Sequence, residues 1–320
     1  MKISNKLQAC IGMVISIFLI AIVFQRVDAV SVGEVLRQTS IFWVLVALLF
    51  YWVEILIRIL RWKHIMFSAD NVIRYSSVRN SFFIGAAINN IFPFRLGDLM
   101  RAHLVGIQRS ISRYSLVGTI VLEKLIDVTA VLLLTFFGAL AVLSHLGVMS
   151  KVFFAFLICC VIIAILGGLY LLLKNRILSN KFMVYFQKRV GHFKKGFGIL
   201  LKPKIFSLVL FETMLIWSFN TLAIWALIKS LGVSLSVSEV LLLEGVSALA
   251  AVIPSAPAGI GTTQYAYLLT FGMMHLDNSV GVAASLLVQG VLLGSITLVG
   301  VLIFIFDTKS RHALRRIRHE

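Results

Sequence analysis

Charged residues are scarce in this chain of 320 residues, and acidic residues are the scarcest. Only 13% of the residues are charged, and 13 Asp and Glu stand against 30 Lys and Arg. A soluble domain carries about 25% charged residues, so this chain has too few to cover a surface facing water. Its 60% hydrophobic content and mean hydropathy of +0.99 instead predict an all-α integral membrane protein. This composition excludes a soluble enzyme.

Cysteine is also rare, and the three cysteines, Cys10, Cys159 and Cys160, lie within apolar runs. They have neither the spacing of a metal site nor that of a disulfide framework. The seven histidines are scattered without an HxxxH pattern. We therefore expect no metal and no cofactor.

Six apolar runs are long enough for membrane-spanning helices, which need about 20 residues. The runs are Leu7–Phe24, Ile41–Ile59, Tyr114–Leu143, Val152–Leu173, Phe206–Ile228 and Ser279–Phe306. The first run resembles a secretory signal, but its 18 residues exceed the roughly 7–15 apolar residues of a signal peptide. We expect it to remain as an uncleaved span.

Two further apolar stretches, Ser81–Phe92 and Val240–Ile253, are too short to span reliably, and a proline follows each. Such stretches are typical of re-entrant half-helices. They predict one hairpin at residues 76–104 and a second at residues 238–275 within a single membrane domain, residues 1–320.

The net charge of +17 tests this topology. If both hairpins re-enter, 24 of the 30 basic residues fall on one face, which the positive-inside rule makes cytoplasmic. The basic amphipathic loop 174–204, the tail 307–320 and both termini then lie in the cytoplasm. The charge thus indicates orientation and anionic lipid as a partner, rather than nucleic acid.

The two hairpins would enter from opposite faces, each followed by a full span. This pattern is typical of inverted repeats in secondary transporters. It predicts a binding site near the membrane midplane, between the hairpin tips.

The first hairpin tip carries residues suited to an anion. Pro93 ends the first half-helix and Gly97 allows close backbone approach. The next helix N-terminus, together with the forked guanidinium of Arg95, suits a phosphate group. Alternatively, Arg95 and Arg101 reach the cytoplasmic interface and Asp98 pairs with one of them.

The second span carries Glu54 and Arg58 one helical turn apart, followed by Arg61 and Trp62. A charge at membrane depth is costly unless it is paired or faces a wet cavity, so this face should point inward. An ordinary interfacial belt is the alternative interpretation.

The third span carries Glu123, Lys124 and Asp127, with the two carboxylates on one helix face. These residues could pair with Arg95 or Arg101, titrate protons for coupling, or bind a polar head group. The sequence leaves these alternatives open.

The second hairpin tip contains Pro257, Gly259 and Gly261. Thr262 or Thr263 is predicted to cap the returning half-helix and to offer backbone donors to an anion. A packing turn of small residues is the alternative.

Four motifs in this order resemble the flippase-like transmembrane region of lysylphosphatidylglycerol synthase, the multiple peptide resistance factor. They are Arg61-Trp62, the hairpin Asn89 to Asp98, Glu123 to Asp127, and the turn Pro257 to Gln264. The resemblance implies lipid translocation rather than lysyl transfer, because the soluble transferase domain is absent from this sequence. It also implies a bacterial or archaeal cytoplasmic membrane and envelope-synthesis enzymes as partners.

Several positions depart from the family pattern. Asp98 stands for Glu and Lys124 for Arg, which keeps the charge, while Ala258 stands for Gly. Gln264 stands for Glu, which removes a titratable group from the second turn.

The sequence therefore predicts a flippase for a lipid with an anionic or phosphate-linked head group. The predicted head-group contacts are Arg58, Arg61, Arg95, Arg101, Lys124, Thr262 and Thr263. The acids expected to position these bases or to couple transport are Glu54, Asp98, Glu123 and Asp127. The predicted gating turns contain Pro93, Gly97, Pro257, Gly259 and Gly261.

Two other functions remain open at this point. One is a membrane-embedded transferase acting on a lipid or polyprenyl phosphate, with Glu123 or Asp127 as general base. The other is a non-catalytic partner of an envelope-synthesis enzyme.

Overall fold

A computed structural model describes residues 5–67, 73–92, 96–109, 111–142, 195–251, 253 and 256–307, and these contain helices but no strand. The helices are Asn5–Arg26 (α1), Ala29–Arg37 (α2), Ile41–Met66 (α3), Tyr75–Ile91 (α4), Leu96–Arg109 (α5), Arg113–Val142 (α6), Pro203–Lys229 (α7), Val237–Ala250 (α8), Thr262–Met273 (α9), Asn278–Leu287 (α10) and Gly294–Phe306 (α11). A π-helical turn, Val288–Leu293, joins α10 to α11.

Within the described part of the chain, four long apolar helices can cross a membrane, and each coincides with a predicted span. They are α3, α6, α7 and the continuous helix Asn278–Phe306 formed by α10 and α11. The predicted first span lies in α1, which is bent by 82° from α2. The predicted all-α, multi-pass membrane protein is therefore confirmed.

Some predicted segments fall outside the described residues. These are the span Val152–Leu173, residues 174–194 of the basic loop and residues 308–320 of the tail.

Each predicted hairpin segment contains two short helices. The first segment holds α4 and α5, and the second holds α8 and α9. Helix α4 packs against α11, and α8 packs against α6. Each pair thus lies against the full helix that follows the other pair in the chain.

Glycine makes both of these helix contacts close. A Cβ added at Gly138 of α6 would lie 2.4 Å from the backbone nitrogen of Leu242 in α8. A Cβ added at Gly300 of α11 would lie 2.2 Å from the carbonyl oxygen of Phe83 in α4. Small residues at such crossings allow the close helix contact on which association within a membrane depends.

Helix α3 illustrates how the apolar residues divide between core and lipid. Ile55, Ile59 and Trp62 are buried at the spacing of one helix face, while Leu49 and Leu56 are exposed on another. Because the exposed face is apolar as well, it suits contact with hydrocarbon. The buried face also carries Glu54 and Arg61, which brings these charges into the protein.

Candidate functional site

Eight charged side chains meet where α3, α5 and α6 come together. Four are basic and four acidic, and ion pairs connect them. They are Glu54, Arg58 and Arg61 on α3, Asp98 and Arg101 on α5, and Glu123, Lys124 and Asp127 on α6. We call this set the ionic cluster. Its formal charges cancel, which lowers the cost of burying it within the protein.

Arg61 forms the centre of the ionic cluster. Its Nη1 and Nη2 atoms donate to Oδ1 and Oδ2 of Asp127 at 2.7 and 3.0 Å. Nη1 also donates to Thr213 Oγ1 of α7 at 2.9 Å, and Nη2 lies 3.7 Å from Glu123 Oε1. The Arg61 side chain is 0% exposed. This forked geometry locks α3, α6 and α7 together.

Arg101 joins the first hairpin segment to the ionic cluster. Its Nη2 atom donates to Glu123 Oε2 at 3.0 Å and lies 3.5 Å from Asp98 Oδ1. Its guanidinium carbon lies 4.6 Å from the centre of the Trp62 ring, in a cation–π contact. Arg101 thus pairs with Glu123, which is one of the arrangements that the sequence leaves open.

Arg58 lies at one edge of the ionic cluster. Its Nε donates to Glu54, as the spacing along α3 predicts, and its Nη1 lies 3.8 Å from Asp127 Oδ2. Its guanidinium carbon lies 5.6 Å from the Trp217 ring. The side chain is 19% exposed, so Arg58 is more accessible than Arg61 or Arg101.

Lys124 lies at the opposite edge, where its Nζ is 3.3 Å from Asp98 Oδ2 and its side chain is 41% exposed. Asn89 of α4 donates to Asp98 Oδ1 at 3.3 Å. Asp98 thus contacts two bases, Arg101 of its own helix and Lys124 of α6.

The first hairpin tip is only partly described, because Pro93 and Arg95 lie outside the described residues. Gly97 is described, and a Cβ added there would lie 1.8 Å from the carbonyl oxygen of Gly85. The close approach of α4 and α5 thus requires glycine at this position.

The second turn lies apart from the ionic cluster and contributes none of its charged side chains. Its residues Pro257–Gly259 form a 3₁₀ turn that contacts α4. The N-cap of α9 is Gly261, so the predicted capping by Thr262 or Thr263 is wrong. Gly261 has φ = 89°, a backbone conformation that β-branched threonine avoids.

The two threonines take other places in the second turn. Thr262 Oγ1 donates to the carbonyl oxygen of Gly259 at 3.0 Å. The hydroxyl of Thr263 lies beside Gly259, 3.0 Å from the position of an added Cβ. Both therefore belong to the turn itself.

Two glutamines hold the second turn in place. Gln264 Oε1 accepts from the Gly261 backbone N–H at 2.7 Å, and its Nε2 donates to Gln289 Oε1 at 2.6 Å. Gln289 in turn donates to the Ala258 carbonyl oxygen at 3.2 Å. The amide of Gln264 thus donates one bond and accepts another, whereas an ionised glutamate could only accept.

Ala258 has φ = 57°, in the left-handed region, where the family pattern has glycine. A non-glycine residue in this region costs roughly 1–2 kcal/mol, part of which the greater chain entropy of glycine offsets. We expect Ala258→Gly to raise the free energy of unfolding by about 0.5–1 kcal/mol, seen as a higher unfolding temperature in mild detergent. Ala251→Gly, at an ordinary φ of −68°, is the control and should give no increase. Loss of stability in Ala258→Gly would contradict this account of the turn.

An apolar cavity of about 710 Å³ lies beside the ionic cluster, between α6, α7 and α8. Thr213 and Trp217, which contact Arg61 and Arg58, form the end nearest the cluster. Trp225 of α7 and Val237 of α8 also line it. Thr213 and Trp225 are twelve residues apart along α7, so the lining extends for about 18 Å.

The sequence did not identify several residues of this region. Thr213 and Trp217 belong to no motif within the apolar helix α7. Only the fold brings them into contact with Arg61 and Arg58. Gln289 could have been found, because it is an amide within a predicted span. Among the residues that the structure describes, no three His, Cys, Asp or Glu side chains converge as metal ligands.

Comparisons with known proteins also indicate a membrane protein. UPF0104 membrane proteins are similar to this chain, one from Pyrococcus horikoshii (24% identical over 280 residues, 79% of this chain and 84% of the relative) and two from Methanocaldococcus jannaschii. One of the two Methanocaldococcus jannaschii proteins is 26% identical over 223 residues, which are 68% of this chain and 92% of the relative. The other is 24% identical over 305 residues, which are 88% of this chain and 89% of the relative. Residues 10–300 match the family described as the lysylphosphatidylglycerol synthase TM region.

Proposed function

Since the chain belongs to the family of the lysylphosphatidylglycerol synthase TM region, we propose that it is a flippase of the cytoplasmic membrane. Its substrate would be a phospholipid or polyprenyl-linked lipid with an anionic or phosphate-linked head group. The observation that carries this proposal is the long apolar cavity whose end is formed by Thr213 and Trp217, which contact Arg61 and Arg58 of the ionic cluster. A lipid needs both environments at adjacent positions.

The exposure of the four bases suggests which of them bind the head group and which position other residues. Arg58 and Lys124 are partly exposed, and an anion could displace their acidic partners Glu54 and Asp98. Arg61 and Arg101 are buried and bonded to Asp127 and Glu123, which favours a positioning role.

We propose Arg58 and Lys124 as the first head-group contacts. Arg95 would join them from the first hairpin tip, as the sequence predicts. The acids Glu54 and Asp98 would neutralise these bases when no lipid is bound.

The cavity would hold an acyl or prenyl chain. Its volume of about 710 Å³ falls within the range of roughly 300–1,000 Å³ for ligand pockets. Its length of about 18 Å is a little more than half of the roughly 30 Å hydrocarbon core. A chain lying there would place its head group at Arg58.

The proposed topology has six spans, two re-entrant hairpins and both termini in the cytoplasm. The reciprocal packing of α4 on α11 and of α8 on α6 supports an inverted repeat. In this arrangement the turn with Pro93 and Gly97 and the turn with Pro257, Gly259 and Gly261 would gate access from opposite faces.

Filling the cavity tests the proposal. Ser218 lines the cavity, so Ser218→Trp should slow lipid movement while leaving the ionic cluster intact. If the added indole raises the energy of the lipid-occupied cavity by about 1–3 kcal/mol, exchange should slow by roughly 5- to 150-fold. The measurement is dithionite bleaching of NBD-labelled phosphatidylglycerol in phosphatidylcholine vesicles. Ser207→Trp, exposed on the same helix, is the matched control.

Three results would count against the flippase. If vesicles with wild-type protein exchange lipid between leaflets no faster than protein-free vesicles, the protein is not a flippase for this lipid. Equal exchange rates for Ser218→Trp and wild type would show that the cavity plays no part in transport. A covalently changed lipid in mass spectra of the extracted vesicles would favour the transferase.

A further inference from the structure

Glu244 of α8 is a buried acid that lies outside the ionic cluster. It is 3% exposed, and within the described part of the chain no ion pair reaches it. Its Oε2 lies 2.5 Å from Thr221 Oγ1, and its Oε1 has no hydrogen-bond partner. In contrast, each of the four acids of the cluster contacts a base. An ionised carboxylate in the surroundings of Glu244 would be strongly disfavoured.

The hydrogen bonds of Thr221 indicate which form of Glu244 fits the structure. Thr221 Oγ1 also lies 2.8 Å from the Trp217 carbonyl oxygen, which can only accept. A hydroxyl has one proton, so Thr221 cannot donate to both this carbonyl and an ionised Glu244. If Glu244 carries a proton, it donates to Thr221, and Thr221 donates to Trp217. The protonated acid therefore satisfies both bonds.

Glu244 can exchange a proton with the cavity and can affect the ionic cluster. Thr221 lines the cavity and would relay the proton. Glu54 and Arg58 of α3 and Tyr267 of α9 interact electrostatically with Glu244. On α6, which packs against α8, Asp127 is held by Arg61 and Arg58.

We propose that Glu244 binds a proton that is taken up together with the anionic head group. This proposal rests on the proposed flippase function and supplies its energy source. An anion at Arg58 offsets the positive charge that stabilises an ionised Glu244, so it favours the protonated acid. By linkage, a proton on Glu244 favours binding of the anion to the same degree. Lipid and proton would then move in the same direction.

The first test detects the proton and does not depend on transport. Infrared spectra of the purified full-length protein should contain a carboxylic acid C=O band that disappears when pH is raised. Glu244→Gln should remove this band, whereas Glu34→Gln, an exposed acid on α2, should not. A spectrum unchanged by Glu244→Gln would overturn the proton site, whatever the protein transports.

The second test measures coupling in phosphatidylcholine vesicles that contain NBD-labelled phosphatidylglycerol. A pH gradient across the membrane should drive the labelled lipid toward the alkaline side in wild type. The apparent affinity for the labelled lipid should fall as pH rises, by at most about tenfold per pH unit, which is the limit for one linked proton. Glu244→Gln, which imitates the protonated acid, should still exchange lipid, but without response to the gradient.

The outcomes separate this proposal from the flippase itself. Lipid exchange in wild type without any response to the gradient would overturn proton coupling and leave the flippase standing. An equal response in wild type and Glu244→Gln would assign the coupling to another group and overturn the role of Glu244. No exchange in wild type would remove the flippase, while the infrared test would still decide whether Glu244 binds a proton.

Discussion

Arg61→Ala is expected to lower the free energy of unfolding by about 3–5 kcal/mol, because it leaves buried carboxylates without their partner. Asp127 would lose two hydrogen bonds of 2.7 and 3.0 Å, and Glu123 would lose its second base. The measurement is reversible unfolding in mild detergent, followed by circular dichroism. Arg37→Ala, at an exposed site on α2, should change stability by no more than about 0.5 kcal/mol.

A double variant separates lost pairing from lost packing. Arg61→Met together with Asp127→Leu removes both buried charges and keeps most of the apolar volume. Replacement of a buried pair in this way is often neutral, so the double variant should recover most of the stability that Arg61→Ala loses. A double variant as unstable as Arg61→Ala would show that the pair itself stabilises the helix junction. Near-wild-type stability of Arg61→Ala would show that Asp127 is not held by this bond.

The spans and their charged positions could be predicted from the sequence because each depends on local pattern. A run of about 20 apolar residues can satisfy its backbone only as a helix in lipid. The pair of Glu54 and Arg58 follows from the helical repeat alone. The bond between Arg61 and Asp127 joins residues 66 positions apart, and only the packing of α3 on α6 determines it.

The cap of α9 shows where local pattern misleads. Threonine is a good N-cap in extended backbone, which made Thr262 or Thr263 the expected residue. The turn instead places Gly261 at a positive φ, and the side chain of Gln264 accepts from its backbone N–H. The backbone conformation at the preceding residues, rather than residue preference, fixed where the helix begins.

The neutrality of the ionic cluster also has a functional consequence. A binding site with unpaired arginines at membrane depth would be costly before any lipid arrived. Acidic partners remove that cost, but they also compete with the head group for the same guanidinium. In the proposed mechanism Glu54 competes with the substrate for Arg58, so removal of Glu54 should act opposite to removal of Arg58.

Glu54→Gln is accordingly expected to strengthen the apparent affinity for phosphatidylglycerol, because the carboxylate left beside Arg58 among the described residues is that of Asp127, 3.8 Å away. Glu54→Gln combined with Arg58→Gln keeps the cluster neutral and should weaken affinity by about 10–100-fold. That loss corresponds to about 1.5–3 kcal/mol for a charge-assisted hydrogen bond. Both values come from the dependence of leaflet exchange on the mole fraction of labelled lipid.

The double substitution Glu34→Gln and Arg37→Gln on α2 is the matched control, since it removes the same two side-chain types from exposed positions. It should leave the apparent affinity unchanged. If the apparent affinity rises in Glu54→Gln and falls in the Glu54, Arg58 double variant, then the head group binds Arg58 in place of Glu54. Weaker affinity in both variants would instead mean that Glu54 orients Arg58 for binding. Unchanged affinity in both variants would mean that the head group does not bind at Arg58.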